Sequence, residues 1–329
     1  MKAIQLREFG SPEQLRLEEV PVPTPGDHEV RIRVHAAGLN FTDLGQREGR
    51  LLGTPPLPFI PGLEAAGVID AVGGSVQGLA PGMRVVALLP NQGAFAEYAL
   101  APASALLPIP AAVSFEQAVA LPAQAPTALL GLRVGARLQA GESVFIPSAA
   151  GGVGTLLVQL ARKRRAARVI GGASSEPKRA LATRLGADAT VDTTQPDWPA
   201  RVREATGGLG ADVVFVSGGA EAGARGLQAL AARGRLVLFG AESMFDSQWN
   251  REQMMGLVAQ NQSIVGFATF TLPLEERQAA LREALSLVEV GTLQVVVGQT
   301  FPLADVARAH QALAARATTG KVIIRVASH

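Results

Sequence analysis

The stretch FIPSAAGGVGTLLVQ, residues 145–159, joins a short apolar segment to a glycine-dense turn and then to apolar residues at helical spacing. Ala149, Gly151 and Gly154 match the spacing small-x-small-x-x-Gly, with alanine in the first glycine position. Small residues let the backbone approach a pyrophosphate, and the free N–H groups of the first helical turn point at it. The alternative is a tight strand–helix turn that binds nothing. Because a strand precedes the turn and a helix follows it, we predict a dinucleotide cradle.

The sequence on either side of this turn changes in character along the chain. Before about residue 114, short apolar runs punctuated by Gly and Pro predict an irregular β-rich domain. From 143 to 266, strands alternate with helical segments, which predicts a parallel sheet with right-handed crossovers. The segment 301–326 has the pattern of a helix followed by a lone strand, and we expect it to pack back on the first domain. We expect Pro147 just beyond the last ladder hydrogen bond of its strand, since it has no backbone donor.

The composition excludes several classes of function. The 329 residues contain no cysteine, which excludes disulfides and zinc sites built on thiolates. The net charge is 30 − 28 = +2, and the one basic run, RKRR at 162–165, suits the C-terminal end of a helix. Nothing therefore indicates nucleic-acid binding. The N-terminal segment carries charges throughout, and no window approaches the roughly 20 apolar residues of a membrane span, so we expect a cytoplasmic protein.

The segment RVIGGASSEPKRA, residues 168–180, bears on which dinucleotide is bound. Sites that prefer NAD place an acid at the end of this strand to bind the ribose 2′-hydroxyl. Gly171 and Gly172 are interpreted as standing at that position. Hydroxyl and cationic side chains that could bind a 2′-phosphate follow: Ser174, Ser175, Lys178 and Arg179. The pattern favours NADPH over NADH, although Lys178 and Arg179 also fit an ordinary helix surface.

Six motifs occur in a fixed order along the chain: AAGLNFTDLGQREG (36–49), PGLEAAGVIDAVG (61–73), GAFAEY (93–98), AAGGVG (149–154), LGAD (185–188) and the tail with FPL and GKVII. Taken together they resemble the zinc-independent quinone oxidoreductases of the medium-chain dehydrogenase/reductase superfamily. The resemblance implies an α/β fold in which a Rossmann doubly wound parallel sheet is inserted in a GroES-like β-rich catalytic domain. The expected domains are 1–122 plus 268–329 for the GroES-like part and 123–267 for the NADPH-binding part, with the active site in the cleft.

The resemblance also implies site residues at matching positions. It suggests Asn40 and Thr127 near the nicotinamide end and Asp43 as the residue that orders the catalytic loop. The implied pyrophosphate contacts are Gly151, Gly152 and Val153, and Ala150 beside them is a further cofactor-binding candidate. The implied 2′-phosphate contacts are Ser175, Lys178 and Arg316, while Ser174 and Arg179 are candidates from the residue pattern described above. Ser217, Gly218, Gly240 and Ala241 follow the fourth and fifth strands of the cofactor domain, and Phe267, Ala268 and Thr269 would hold the carboxamide through the backbone.

Two departures from relatives limit the chemistry. The zinc-dependent relatives carry a catalytic Cys at or beside the position of Asn40 and four Cys after residue 90, where this chain reads PNQGAF, so we expect no metal. Glu64 matches a residue near that metal and is interpreted as a structural hydrogen-bonding acid. The only tyrosine is Tyr98, which argues against a tyrosine proton donor. His35 is expected to be a hydrogen-bonded residue beside the core, and His310 to lie on a helix surface.

The predicted reaction is hydride transfer from NADPH to a quinone or an α,β-unsaturated carbonyl. Asn40 and Thr127 are the candidate donors to the acceptor oxygen, and solvent would supply the proton. One alternative is an enoyl-thioester (enoyl-CoA) reductase, for which Arg47 and Arg50 are the only nearby cations. Another is an NADPH-binding sensor or structural protein with little turnover. The resemblance further implies a homodimer formed through an edge strand near 263–270.

Overall fold

The computed structural model describes residues 1–51, 53–240 and 249–326. The chain divides into two compact units, one formed by 1–123 with 281–329 and the other by 124–280. Residues 268–280, which we expected in the first unit, are grouped with the second, and residue 123 with the first. Among the described residues, no helix is both long and apolar enough to cross a membrane.

The secondary structure of the described residues alternates as the sequence predicts. The strands are β1 (Lys2–Leu6), β2 (Leu15–Glu19), β3 (Glu29–Leu39), β4 (Glu64–Val72), β5 (Arg84–Leu88), β6 (Tyr98–Pro102), β7 (Leu106–Pro108), β8 (Ser143–Ile146), β9 (Arg168–Ala173), β10 (Ala189–Asp192), β11 (Ala211–Val216), β12 (Leu230–Leu238), β13 (Ser263–Gly266), β14 (Val297–Pro302) and β15 (Lys321–Arg325). The α-helices are α1 (Phe41–Arg47), α2 (Phe115–Val119), α3 (Gln124–Leu130), α4 (Gly152–Lys163), α5 (Glu176–Arg184), α6 (Trp198–Ala205), α7 (Ala220–Ala229), α8 (Arg251–Gln260), α9 (Leu274–Glu289) and α10 (Val306–Ala314).

The first unit is built on a seven-stranded sheet in the order β14-β15-β3-β4-β5-β7, with β6 pairing the other half of β3. Strands β1 and β2 form a separate antiparallel pair. The lone C-terminal strand β15 runs antiparallel to β3, with Val322 opposite Leu39 and Arg325 opposite Ala36. Apolar residues that recur at alternate positions of β3 are buried, as a sheet with one face on a core requires. The prediction that the tail returns to the first domain is confirmed.

The second unit is a six-stranded parallel sheet in the order β10-β9-β8-β11-β12-β13. Numbered within the unit, this is the 3-2-1-4-5-6 order of a doubly wound Rossmann sheet, so the predicted fold class is confirmed. Its strands are short and apolar because both faces are covered; Phe145 and Leu236 are fully buried, and Phe145 packs on Trp198 with ring centroids 5.1 Å apart. The strand order reverses at β8 and β11, where such sheets bind ligands beyond the carboxyl ends of the strands.

One expectation about a helix surface is wrong. His310 on α10 is 0% exposed, packs edge-to-face on Phe95 with centroids 6.2 Å apart, and has Nδ1 3.4 Å from a guanidinium nitrogen of Arg47. Burial, reinforced by the charge of Arg47, lowers the pKa of His310 to about 3. The imidazole is therefore neutral and belongs to the core. The surface position was expected because histidine is polar. In the structure, however, His310 lies on the buried face of α10 together with Val306 and Leu313.

Candidate active site

The predicted glycine turn lies at the carboxyl end of β8. The last ladder pairing of β8 with β9 joins Ile146 to Gly171, and Pro147 follows immediately, as expected for a residue without an N–H. Gly151 is the N-cap of α4, with an extended backbone at φ −81° and ψ 174°, and the helix begins at Gly152. The turn therefore delivers the chain from the sheet directly into a helix N-terminus, at the position where the strand order reverses.

The space around these glycines explains why they are glycines. A Cβ on Gly154 would lie 1.9 Å from the carbonyl oxygen of Ser148, so α4 can start this close to the turn only with glycine there. A Cβ on Gly152 would lie 2.2 Å from Nε2 of Gln124, whereas one on Gly151 would lie 3.3 Å from the nearest atom. Gly151, Gly152 and Val153 are half-buried, so the first N–H groups of α4, which have no intrahelical acceptors, can face a bound group. The turn fits a dinucleotide pyrophosphate.

Gln124 is a residue of this site that the sequence reasoning missed. It begins α3, is 9% exposed and packs its amide against Gly152. The predicted residue Thr127 lies three positions further along the same helix and is half-buried. Residues three apart share a helix face, so Gln124 could have been predicted from its position three residues before Thr127.

The predicted 2′-phosphate region needs one correction. Gly171 and Gly172 do not stand at the end of β9 but inside it, because the strand continues through Ala173. Both are packing positions: a Cβ on Gly171 would lie 2.9 Å from that of Ala182, and one on Gly172 would lie 2.7 Å from Cγ2 of Thr193. The residues at the end of the strand are Ala173 and Ser174, so the position still carries no carboxylate.

The predicted 2′-phosphate residues after β9 lie in different surroundings. Ser174 is exposed, Ser175 is the N-cap of α5, and Lys178 is half-buried in the first turn of the helix. Arg179 is engaged by carboxylates, at 2.9 Å from Asp192 and 3.1 Å from Glu176. Arg316 belongs to the first unit, where it is exposed after α10 with φ 53°. Arg179 thus joins α5 to β10 through Asp192.

Several other predicted cofactor residues gather at the carboxyl ends of β11 and β12. Ser217 and Gly218 directly follow β11, and Gly240 follows β12 with φ +83°; a Cβ on Gly240 would lie 3.5 Å from that of Ser217. Phe267 follows β13 and donates its N–H to the carbonyl of Leu238 at 2.9 Å. Ala268 is extended at φ −143°, and Thr269 starts a short 3-10 turn. Ala241 lies outside the described residues.

The ring of Phe267 packs on the π-turn Gly131–Gly135, which follows α3. A Cβ on Gly135 would lie 3.1 Å from the ring, and one on Gly131 would lie 3.6 Å from it. The backbone of 267–269 is therefore held by packing at the same edge of the sheet as the glycine turn, which suits the expected role of binding through main-chain groups.

The predicted catalytic residues of the first unit form one buried polar cluster. The backbone N–H of Asn40 donates to Oδ2 of Asp43 at 2.7 Å, and Nδ2 of Asn40 donates to Oε2 of Glu64 at 2.7 Å. Lys321, which the sequence reasoning missed, donates from Nζ to Oδ1 of Asn40 at 2.7 Å and also pairs with Glu64. Oε1 of Glu64 accepts the N–H of Ala123 at 2.7 Å. The interpretation of Glu64 as a hydrogen-bonding acid is confirmed.

Asp43 is 1% exposed, and this burial raises the pKa of its carboxyl to about 7, although the Asn40 hydrogen bond opposes the shift. Its described contact is to the backbone of Asn40, so it orders the start of α1. His35 is half-buried and stacks on Phe115 with ring centroids 4.4 Å apart. Among the described residues, no group of three or more His, Asp or Glu side chains is arranged to hold a metal ion.

Comparison with known proteins agrees with this architecture. Residues 26–111 match the family model of the alcohol dehydrogenase GroES-like domain, and residues 152–299 match that of zinc-binding dehydrogenases. The quinone oxidoreductase of Pseudomonas aeruginosa is 36% identical over 327 residues, covering 98% of this chain and 99% of the relative. The chain belongs to the quinone oxidoreductase family of the medium-chain dehydrogenases/reductases. The rat quinone oxidoreductase is 33% identical over 312 residues, covering 94% of this chain and 93% of that relative.

Solved structures of the family are equally similar. Escherichia coli quinone oxidoreductase complexed with NADPH has a TM-score of 0.90 at 31% identity, covering 99% of this chain and 100% of that one. A mycobacterial protein complexed with NADPH has a TM-score of 0.89 at 34% identity, covering 99% of each chain. A structure described as an NAD-dependent alcohol dehydrogenase has a TM-score of 0.90 at 35% identity, covering 99% and 100%. This chain is an enzyme of the quinone oxidoreductase type, and two of these three similar proteins are complexed with NADPH.

Proposed function

We propose that this protein transfers a hydride from NADPH to a quinone or an α,β-unsaturated carbonyl without the help of zinc. The observation that carries the proposal is the amide of Asn40, which a buried cation and a buried carboxylate hold in one orientation. Glu64 accepts hydrogen bonds from Lys321, Asn40 and the N–H of Ala123, so both of its carboxylate oxygens are engaged within the protein rather than left for a metal. The chain has no cysteine to supply a thiolate ligand.

In this proposal the second unit binds the cofactor and the first unit stabilises the reacting oxygen. NADPH supplies the hydride when bound. The N–H groups at the start of α4 bind the pyrophosphate, Ser175 and Lys178 bind the 2′-phosphate, and the backbone of Phe267–Thr269 orients the carboxamide. Asn40 donates a hydrogen bond to the acceptor oxygen, where negative charge develops, and Thr127 is the second candidate donor.

The proton that completes the reduction comes from solvent. Asp43 has a pKa of about 7 but is buried, and its described hydrogen bond is to the backbone N–H of Asn40. We therefore give Asp43 a positioning role at the start of α1. Removing one preorganised donor to a developing oxyanion typically costs about 100-fold in turnover, so Asn40→Ala should lower kcat strongly while leaving the affinity for NADPH nearly unchanged.

The test is NADPH oxidation against panels of quinones, enones and enoyl-CoA thioesters, with Asn40→Ala beside the wild type. Asn91→Ala is the matched control, since Asn91 is an exposed asparagine of the same unit. The proposal expects turnover with quinones or enones, a large loss of kcat in Asn40→Ala and none in Asn91→Ala. Unchanged turnover in Asn40→Ala would remove this residue from the mechanism.

One of the two arginines on which the enoyl-thioester alternative depends is buried in the structure. Arg47 is 5% exposed, donates to the carbonyl of Gly10 at 2.8 Å and pairs with Glu48, so it is part of the interior. Arg50 is exposed but also pairs with Glu48. A rate with crotonyl-CoA above that of every quinone and enone would nevertheless favour this alternative. Tight NADPH binding with no oxidation by any acceptor would favour the sensor or structural role.

We also propose that two copies of the chain pair through the outer edge of β13, the last strand of the cofactor-binding sheet. Helix α8, which leads into β13, has no buried residue and exposes large apolar side chains. Met255 is 61% exposed and Val258 is 79% exposed. Among the described strands β13 pairs with β12 alone, so its other edge is available to a strand of a second copy, and the exposed side chains of α8 give the same unit apolar surface that an interface would cover.

A further inference from the structure

Lys321, the first residue of β15, is a buried cation. Its side chain is 1% exposed, and its ammonium pairs with the carboxylate of Glu64, which is 0% exposed. Removing two charges from water is costly, and their mutual attraction often fails to offset that cost. A buried pair is therefore weak evidence for stability, and another role for Lys321 has to be sought in what its ammonium touches.

Three adjacent strands of the first unit bring the pair together across Gly38. Glu64 lies opposite Gly38 in the β3–β4 register, and β15 pairs β3 on its other side. A Cβ on Gly38 would lie 2.5 Å from Oε2 of Glu64 and 2.7 Å from Cε of Lys321. The two side chains thus meet over a gap that only glycine leaves open, next to the end of β3 where Asn40 begins the turn into α1.

The pair fixes the orientation of the Asn40 side chain. An asparagine amide can be turned over with little change in shape, so its orientation depends on its partners. Here the ammonium of Lys321 donates to Oδ1 at 2.7 Å, and Oε2 of Glu64 accepts from Nδ2 at 2.7 Å. The reversed amide would place Nδ2 against a cation and Oδ1 against a carboxylate. Only one orientation satisfies both partners, and it leaves the second N–H of Nδ2 for another acceptor.

We propose that Lys321 is a positioning residue for hydride transfer, whose ammonium holds and polarises the Asn40 amide so that the second Nδ2–H is directed to the acceptor oxygen. A cation on Oδ1 draws electron density from the amide and strengthens its N–H donors, as neighbouring hydrogen bonds in a chain do. Asn40 is half-buried, so part of the residue is open to solvent. The inference rests on the proposed function, in which Asn40 stabilises the reacting oxygen.

The first test observes the Asn40 amide directly in the ligand-free protein. Its side-chain ¹H–¹⁵N resonances are identified by their loss in Asn40→Ala. The variants are Lys321→Met and the charge-neutral pair Lys321→Met with Glu64→Gln, which avoids an uncompensated buried carboxylate. We expect the resonances to shift and their exchange with water to accelerate by about 10-fold or more in the neutral pair. Unchanged resonances and exchange would overturn the proposal.

The second test asks whether Lys321 acts through Asn40. In quinone or enone reduction, the neutral pair should lower kcat about 10-fold or more, by analogy with the losses of about 10–100-fold when a residue that orients a metal ligand is removed. The dissociation constant of NADPH should stay within about twofold, and Lys163→Met, an exposed lysine, should change neither quantity. In an Asn40→Ala background, the same substitutions should cost less than about twofold, because residues of one network are not additive.

The outcomes separate this inference from the proposed function. If the wild type reduces no quinone and no enone, the proposed function fails, and the amide spectra still decide whether Lys321 positions Asn40. If Asn40→Ala is impaired but the neutral pair folds and turns over normally, the proposed function stands and Lys321 only balances the charge of Glu64. Additive losses in the two backgrounds would likewise refute an action through Asn40.

Discussion

Replacing Gly154 by alanine tests the geometry of the phosphate cradle most sharply, because helix propensity and steric packing predict opposite changes in stability. Alanine is the better helix former by about 1 kcal/mol, so propensity alone predicts a more stable protein. The new Cβ would, however, lie 1.9 Å from the carbonyl oxygen of Ser148, far inside van der Waals contact. Overpacking of this kind costs about 1–3 kcal/mol and occasionally more. Since the clash is with backbone, we take the upper end and expect a net loss of about 2 kcal/mol.

Two matched glycine variants separate the causes. Gly256 lies inside α8, and a Cβ there meets nothing within 4 Å, so Gly256→Ala should show the propensity gain of about 1 kcal/mol alone. A Cβ on Gly151 would lie 3.3 Å from the nearest atom, so Gly151→Ala should cost less than about 1 kcal/mol, as expected for alanine at an N-cap.

The assays are thermal unfolding without ligand and NADPH binding by fluorescence titration. A loss of about 2 kcal/mol corresponds to a fall of roughly 4–8 °C in the unfolding midpoint for a domain of this size. Because α4 has to shift to accommodate the methyl group, its first N–H groups leave the pyrophosphate, and NADPH affinity should fall by about 10-fold or more. A Gly154→Ala protein that is as stable as the wild type and binds NADPH equally well would refute the cradle.

Three further predictions concern charge, pH and assembly. Lys178→Ala should lower kcat/KM for NADPH by about 10-fold or more while barely changing that for NADH, since only the 2′-phosphate meets this cation. His310→Leu should make the free energy of unfolding less sensitive to acid. The pKa of His310 is about 3 in the folded protein against 6.5 in the unfolded chain. As pH falls below 6.5, the wild type should therefore lose up to about 1.4 kcal/mol of unfolding free energy per pH unit relative to the variant. Met255→Asp with Val258→Asp should convert a dimer to a monomer in sedimentation velocity.

Each of these has a distinct contrary result. Equal losses for both cofactors in Lys178→Ala would mean that this lysine supports the helix rather than the phosphate. Parallel stability–pH curves for wild type and His310→Leu would show that His310 titrates in the fold as it does in the unfolded chain. Asp43 has a raised pKa and contributes the opposite slope, but it is present in both proteins and drops out of the difference. A wild type that sediments as a monomer would refute the pairing through β13.

The glycine turn and the Rossmann order were readable because they depend on local constraints. The strand before Gly151, the helix after it and the alternation downstream each leave a periodic signal in the sequence. The return of β15 to β3 was also foreseeable, since an isolated strand with no neighbours in sequence needs a partner elsewhere. These features follow from hydrogen-bonding requirements of short segments.

The features that were missed or misjudged depend on partners far apart in sequence. Lys321 and Glu64 are 257 residues apart, and no local pattern distinguishes a buried lysine at the start of a strand from an exposed one. His310 was misjudged for the same reason, because Phe95 and Arg47 create its surroundings. Gly171 and Gly172 were assigned to the end of β9 because strand ends are uncertain by a residue or two. Gln124 was overlooked because its contact with Gly152 is visible only in the folded structure.

The most direct test of the central claim is the ratio of kcat/KM for NADPH to that for NADH, measured with one saturating quinone. The α4 N-terminus fits a pyrophosphate, the end of β9 carries no carboxylate, and Lys178 lies in the first turn of α5. Together these features predict hydride transfer that prefers NADPH by at least about 10-fold. A ratio near one, a preference for NADH, or no quinone reduction with either cofactor would contradict the account.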